Sequence, residues 1–222
     1  MKKKQFLIVA IVASIFLTSG CAATIPESSL PEPVPTLVPE PEIPTNFATY
    51  TQEGLYNISY PSDWQPITSI MDEAWEGIKI EMEEDPLVYL EDTAMLFGAG
   101  KMTPETYYYT EGYYPTVNII TALRSTGYWT LEEIVKVESQ YARENTPGYK
   151  EFSVYNVIVD GREAIIYDVE DNAPGYEKWR YIQLYTIKDD FVWCVTCGCE
   201  SNDFNDYEHI FISIVRSLKI LN

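Results

Sequence analysis

The stretch VIVDGREAIIYDV, residues 157–169, decides the fold. Asp160-Gly161 is a two-residue turn signal, and it stands between two runs rich in β-branched residues. Such a pair between apolar runs specifies a tight β-hairpin. Working outward from it, the spacing predicts strands over 152–159 and 163–169. A turn through Asn172-Ala-Pro-Gly175 leads to a third strand over 178–187, and Asp189-Asp190 turns the chain into a fourth over 191–199. This is a meander of neighbouring antiparallel strands.

On either side of the meander the periodicity changes to helical. Thr130-Leu131-Glu132-Glu133 is a capping box, and the helix it opens is expected to turn Ile134, Val137 and Tyr141 inward before Pro147-Gly148 ends it. After the meander, Ser201 or Asn202 is expected to cap a final helix with Phe204, Phe211, Ile214, Val215 and Leu218 on one stripe. Upstream, strands are expected over 55–60, 95–100 and 116–123. Ser69 opens a helical pattern through Ile70, Ala74, Ile78 and Met82, and Asp85-Pro86 starts a short helix ending near Leu90. Between two of the strands lies TPETYYYTEGYYP, a loop carrying Tyr107, Tyr108, Tyr109, Tyr113 and Tyr114.

The chain opens MKKKQFLIVAIVASIFLTSGC. A basic run followed by an apolar run shorter than the roughly 20 residues of a membrane span reads as a signal peptide. Leu17-Thr18-Ser19-Gly20-Cys21 resembles the lipobox of bacterial lipoproteins, in which the Cys receives a diacylglycerol and becomes the first mature residue. That resemblance implies lipidation at Cys21, with palmitate-type acylation anchoring the chain on the extracytoplasmic face of the cell membrane. Thr18 departs from the aliphatic residue usual at its position. Residues 22–46 hold seven prolines and four glutamates without a Lys or Arg, a stiff extended spacer. The expected organisation is therefore a signal peptide over 1–20, the lipidated Cys and linker over 21–46, and one folded domain over 47–222.

Loss of Lys2, Lys3 and Lys4 with the leader leaves 12 of the 15 basic residues against 34 acidic ones, a formal charge of −22. Such a surface repels phosphate backbones, so nucleic acid is excluded as a partner. Cationic proteins and divalent ions are what it attracts.

The order of elements, with its landmarks, resembles the PsbP-like fold, which also includes many bacterial lipoproteins. The matching pieces are LYNISYPSDWQ, PTVNII, TLEEIVKVESQYARE, VIVDGREAIIYDV, FVWCVTCGC and FNDYEHIFISIVRSLKI. The resemblance implies an α+β fold, an α/β/α sandwich in which an antiparallel sheet carries helices on both faces. In the photosynthetic members this domain is an accessory at a membrane complex that helps retain Ca²⁺ and Cl⁻. No residue set here allows that site to be carried over.

CVTCGC, residues 194–199, is the most chemical-looking stretch. Cys194, Cys197 and Cys199 with His209, or with an acid such as Glu200, are the donor types of a Zn²⁺ site. Strand alternation opposes this, because it sends Cys194 to one face and Cys197 and Cys199 to the other. Cys194 and Cys197 would also stand about 10 Å apart, beyond disulfide reach. Three readings stand side by side: core filling, a Cys197–Cys199 or intermolecular disulfide aided by a bulge at Gly198, and metal. Acid clusters at Glu81, Glu83, Glu84, Asp85, Glu91 and Asp92, and at Glu200, Asp203, Asp206 and Glu208, suggest solvated helix ends or weak Ca²⁺ binding.

No nucleophile elbow or phosphate loop is present, so no catalytic residue is assigned. A hydrolase would instead announce itself as a tight apolar pocket lined by paired carboxylates. The expected function is a lipid-anchored, non-enzymatic binding or accessory module for a protein partner, with the Tyr107–Tyr114 loop as its contact surface. The alternative is a Zn or Ca protein using the Cys cluster or the acidic patches; no other cofactor is expected.

Overall fold

The computed structural model describes residues 42–69, 93–101, 114–123, 130–172 and 178–221. Its strands are β1 (Phe47–Gln52), β2 (Tyr56–Pro61), β3 (Gln65–Pro66), β4 (Thr93–Gly100), β5 (Thr116–Leu123), β6 (Lys150–Val159), β7 (Arg162–Asp171), β8 (Trp179–Lys188), β9 (Phe191–Glu200) and β10 (Lys219–Ile220). Its helices are α1 (Leu131–Asn145) and α2 (Phe204–Arg216). The Cys21 anchor, the linker through residue 41, the helical pattern beyond Ser69, the Asp85-Pro86 helix and its acids, and Ala173-Pro-Gly175 lie outside the described residues.

The hairpin forms as the sequence dictates. Val159 pairs with Arg162, while Asp160 and Gly161 take φ of 50° and 73°, the left-handed conformations a two-residue turn requires. Asp160 Oδ2 accepts from Arg162 Nη1 at 2.6 Å and from the Ile220 amide at 3.2 Å, which pins the hairpin tip to the end of the chain.

The strands assemble into a seven-stranded antiparallel sheet in the order β3-β4-β5-β9-β8-β7-β6. β9 sits inside the sheet between β5 and β8, so its side chains need apolar cover on both faces. Alternation supplies it. Trp193, Val195, Cys197 and Cys199 join one buried cluster, and Val192 and Cys194 join the other. α2 covers the first face with Phe204, Phe211, Ile214 and Val215, and α1 covers the second with Leu131, Ile134 and Val135. The result is the expected α+β sandwich.

The strand expected over 55–60 forms as β2, but its pairing was not foreseen. β1, β2 and β10 form a separate three-stranded antiparallel sheet on the α2 side. Tyr56, Ile58 and Tyr60 from β2 enter the same core as α2, and Ser217 Oγ accepts the Ser59 amide at 2.8 Å. β10 is two residues long, too short to show a period of its own in sequence.

α1 carries its capping box: Thr130 Oγ1 accepts from Glu133 N at 3.2 Å, and Glu133 Oε2 accepts from Thr130 N at 2.8 Å. Its inward face corrects the expected one. Val137 and Tyr141 are only half-buried, and the fully buried set is Leu131, Ile134, Val135, Glu138, Ser139 and Ala142. The N-cap of α2 is Asp203, one residue after Asn202 and two after Ser201, and it makes no side-chain cap bond.

Gly198 is required by contact, not by a bulge. Its pairing on both sides is regular, and a Cβ there would lie 2.5 Å from Trp179 Nε1 and 2.9 Å from Tyr181 Cβ. Gly198→Ala is expected to destabilise the domain by about 1–3 kcal/mol through overpacking. The shift in urea midpoint at unchanged m-value measures it.

Candidate functional site: a buried carboxyl between α1 and the sheet

The inward phase of α1 places a carboxylate where an apolar residue would be expected. Glu138 is 5% exposed, and its Oε2 has no hydrogen-bond partner among the described residues. Burial drives its pKa well above the ordinary carboxylate value, so the neutral acid is the form the fold holds. Beside it is a cavity of ≈ 10 Å³, lined by Val135, Glu138, Ser139, Ala142, Tyr149, Tyr167, Gln183 and Tyr185. That is room for about one water molecule, and far below the several hundred Å³ of an organic-ligand pocket.

The floor of the cavity is a hydrogen-bonded chain on β8 and β9. Tyr185 Oη donates to Gln183 Oε1 at 3.2 Å, and Gln183 Nε2 donates to Thr196 Oγ1 at 3.3 Å. Cys194 Sγ lies 3.6 Å from the same hydroxyl. At the rim, Glu151 accepts from Ser139 Oγ, from Tyr149 Oη at 3.1 Å and from Arg143 Nη2 at 2.6 Å. Burial first, then the Glu151 charge, raises the pKa of both Tyr149 and Tyr167. The phenols therefore stay protonated and available as donors.

A β-bulge builds this rim. The β6–β7 register shifts between Glu151 and Ser153. Ser153 pairs with Asp168, on the α2 face, and simple alternation would put Glu151 there too. The extra residue, Phe152, returns Glu151 to the α1 face, where Ser139 and Arg143 reach it. Phe152 itself stacks on the other face. The Arg180 guanidinium lies 3.9 Å from its ring centroid and 4.1 Å from that of Phe204, and it binds Asp168 through two bonds of 2.8 and 2.6 Å.

A second buried carboxyl, Asp171, is 2% exposed and accepts from Tyr181 Oη at 2.9 Å. Burial, opposed by that hydrogen bond and reinforced by Glu170, raises its pKa from 3.8 to about 6.

The cysteines do not assemble a site. Cys194 faces α1, Cys197 and Cys199 face α2, and all three thiols are free and buried. Burial pushes Cys194 and Cys199 up to about 12 and raises Cys197 well above the ordinary thiol value. Such thiols are poor metal ligands without a large compensating gain. His209 is exposed on α2. Among the described residues no three His, Cys, Asp or Glu side chains gather as metal ligands, and that includes Glu200, Asp203, Asp206 and Glu208. The Zn and Ca expectations on these residues gain no geometry. Nor does the cavity show the paired carboxylates of a hydrolase: Glu138 lines it, while Glu151 is engaged by three donors. Of the tyrosine loop, Tyr114 is half-buried; Tyr107, Tyr108, Tyr109 and Tyr113 lie outside the described residues.

No family model matches the sequence, and no curated protein matches it either. Among the solved structures that share its fold are the following two. One is cyanobacterial PsbP (CyanoP) from Synechocystis sp. PCC 6803, at 10% identity and TM-score 0.50, covering 79% of this chain and 92% of that one. The other is LpqN of Mycobacterium tuberculosis, described as involved in cell envelope biogenesis, at 12% identity and TM-score 0.50, covering 79% and 91%. The fold is PsbP-like.

The buried acids give a pH dependence with a definite sign. A carboxyl whose pKa is raised by folding stabilises the fold while protonated, and this is lost as pH climbs from the unfolded value through the folded one. For Asp171 that window runs from 3.8 to about 6, and a displacement of this size corresponds to about 3 kcal/mol. Denaturation midpoints should therefore fall between about pH 4 and pH 7, and Asp171→Asn and Glu138→Gln should each flatten the decline. An unchanged slope in both variants would contradict the assignment. The thiols offer a second check: Cys194, Cys197 and Cys199 should resist iodoacetamide in the native protein and react on unfolding, as mapped by mass spectrometry.

Proposed function

We propose that this chain is a lipid-anchored, non-enzymatic binding or accessory module on the extracytoplasmic face of the cell membrane, engaging a protein partner through an acidic surface. The observation that carries the reading is a leader ending Leu17-Thr18-Ser19-Gly20-Cys21 ahead of a Pro/Glu linker and a PsbP-like fold. A diacylglyceryl group on Cys21 holds the chain at the bilayer. The linker, at about 3 Å per residue, lifts the domain tens of ångströms above it. The envelope association in the description of LpqN fits the same setting.

The geometry supports binding at a surface over chemistry in a pocket. The cavity by Glu138, at ≈ 10 Å³, is too small for a metabolite. The Tyr107–Tyr114 loop supplies rigid amphipathic rings of the kind binding surfaces favour. Two measurements test the proposal. Cys21→Ser should move the protein from the membrane to the soluble fraction, and continued membrane partitioning would refute lipidation there. A pull-down from solubilised membranes should recover a specific partner that is lost when the loop tyrosines become Ser. Recovery of nothing specific would sink the binding role.

A further inference from the structure

β6 is an edge of the seven-stranded sheet, and the described residues supply no strand beyond it. The opposite edge, β3, is two residues long, whereas β6 runs for ten. Natural edges of that length are blunted by lysines, prolines or bulges. β6 has a bulge only near its start; beyond it, residues 153–159 read SVYNVIV, without a charge or a proline. Val154 and Ile158 are each 46% exposed there.

The hairpin sets the direction of the backbone groups. Val159 and Arg162 flank the two-residue turn, and the pair flanking such a turn exchanges both of its bonds. Alternation then points the amides and carbonyls of Tyr155 and Val157 towards β7, and those of Val154, Asn156 and Ile158 outward. Outward backbone groups beside exposed apolar side chains are what an added strand uses.

Charge selects the occupant. Residues 47–222 carry 30 acidic residues against 12 basic ones, a formal −18. A second copy brings the same charge against the first, whereas a basic segment is drawn in. We infer that β6 accepts, by strand addition, an extended basic segment of a partner protein with apolar residues at alternate positions. Val154 and Ile158 pack against its apolar side chains, and its Lys or Arg flanks face the acidic body. This rests on the binding-module reading and assigns the partner a contact on the β6 edge.

The probe is a synthetic peptide of alternating Val and Thr with lysine flanks, set against a glutamate-flanked version, added to the full chain in detergent. Amide exchange at Val154, Asn156 and Ile158 should slow by about tenfold or more with the lysine peptide, and the effect should shrink as salt rises. Asn156→Pro removes an outward donor without breaking a bond to β7, and Ile158→Lys puts a charge on the edge. Both should abolish the protection while keeping the native circular dichroism; if the proline variant unfolds, the lysine variant decides. Equal protection by the glutamate peptide, or protection elsewhere, overturns the inference. So does slow exchange at these amides before peptide is added, which would identify a second copy or the chain itself as the occupant. A membrane partner captured equally by wild type and Ile158→Lys refutes the edge while leaving the binding module intact.

Discussion

β9 lies inside the sheet with both faces buried, and the rest of the architecture follows from covering it. A strand hydrogen-bonded to β5 on one side and β8 on the other has no route to water except through its faces. Eight of its ten residues are buried, so two layers must close over it. α2 and the small β1-β2-β10 sheet form one, and α1 forms the other. The three thiols take their meaning from this constraint. Cysteine buries well as a small hydrophobe, and alternation divides the three between two cores.

The two layers differ in character. The α2 side is apolar and aromatic, closed at one end by an Arg180–Asp168 pair held between two phenylalanine rings. The α1 side holds polar groups: Glu138, Gln183, Thr196 and several tyrosines around a cavity sized for one water. A carboxyl with an unmatched oxygen in such a place costs stability, and it remains neutral because ionisation would cost more. Polar chains of this kind specify one arrangement of helix on sheet, since sliding α1 by a turn would leave several donors unmatched.

The cavity beside Glu138 holds about one water, so the proposed recognition falls to the outer surfaces. Two are distinct in chemistry: a strongly acidic body and an uncharged strand edge. Acidic bodies speed association with basic partners over distances of a Debye length, about 8 Å at physiological salt. A strand edge, by contrast, acts only at contact and through directional hydrogen bonds. Together they would give the proposed partner binding two steps, capture followed by registry.

Much of the fold was legible in the chain. Asp160-Gly161 specified the hairpin, the capping box at Thr130 placed the start of α1, and the stripe from Phe204 to Val215 marked the covering face of α2, whereas Leu218, expected on that stripe, joins the same core just past the helix end at Arg216. These signals are local: each depends on turn chemistry, a cap or a period within a few residues. The split of CVTCGC between two faces was legible for the same reason, because alternation is a property of any strand. The candidate site was not legible. Glu138 and Ser139 look like solvent-facing residues until the rotation of α1 about its axis is known, and packing against β7 and β8 sets that rotation. Glu151 reaches them only because an extra residue in β6 reverses its face, and a bulge is decided by the fit of one strand to the next. The sequence by itself determined the elements and their apolar faces, through short-range sterics and periodicity. Tertiary structure alone decided which polar groups met inside, because that depends on how separate elements, each locally content with several positions, settle against one another.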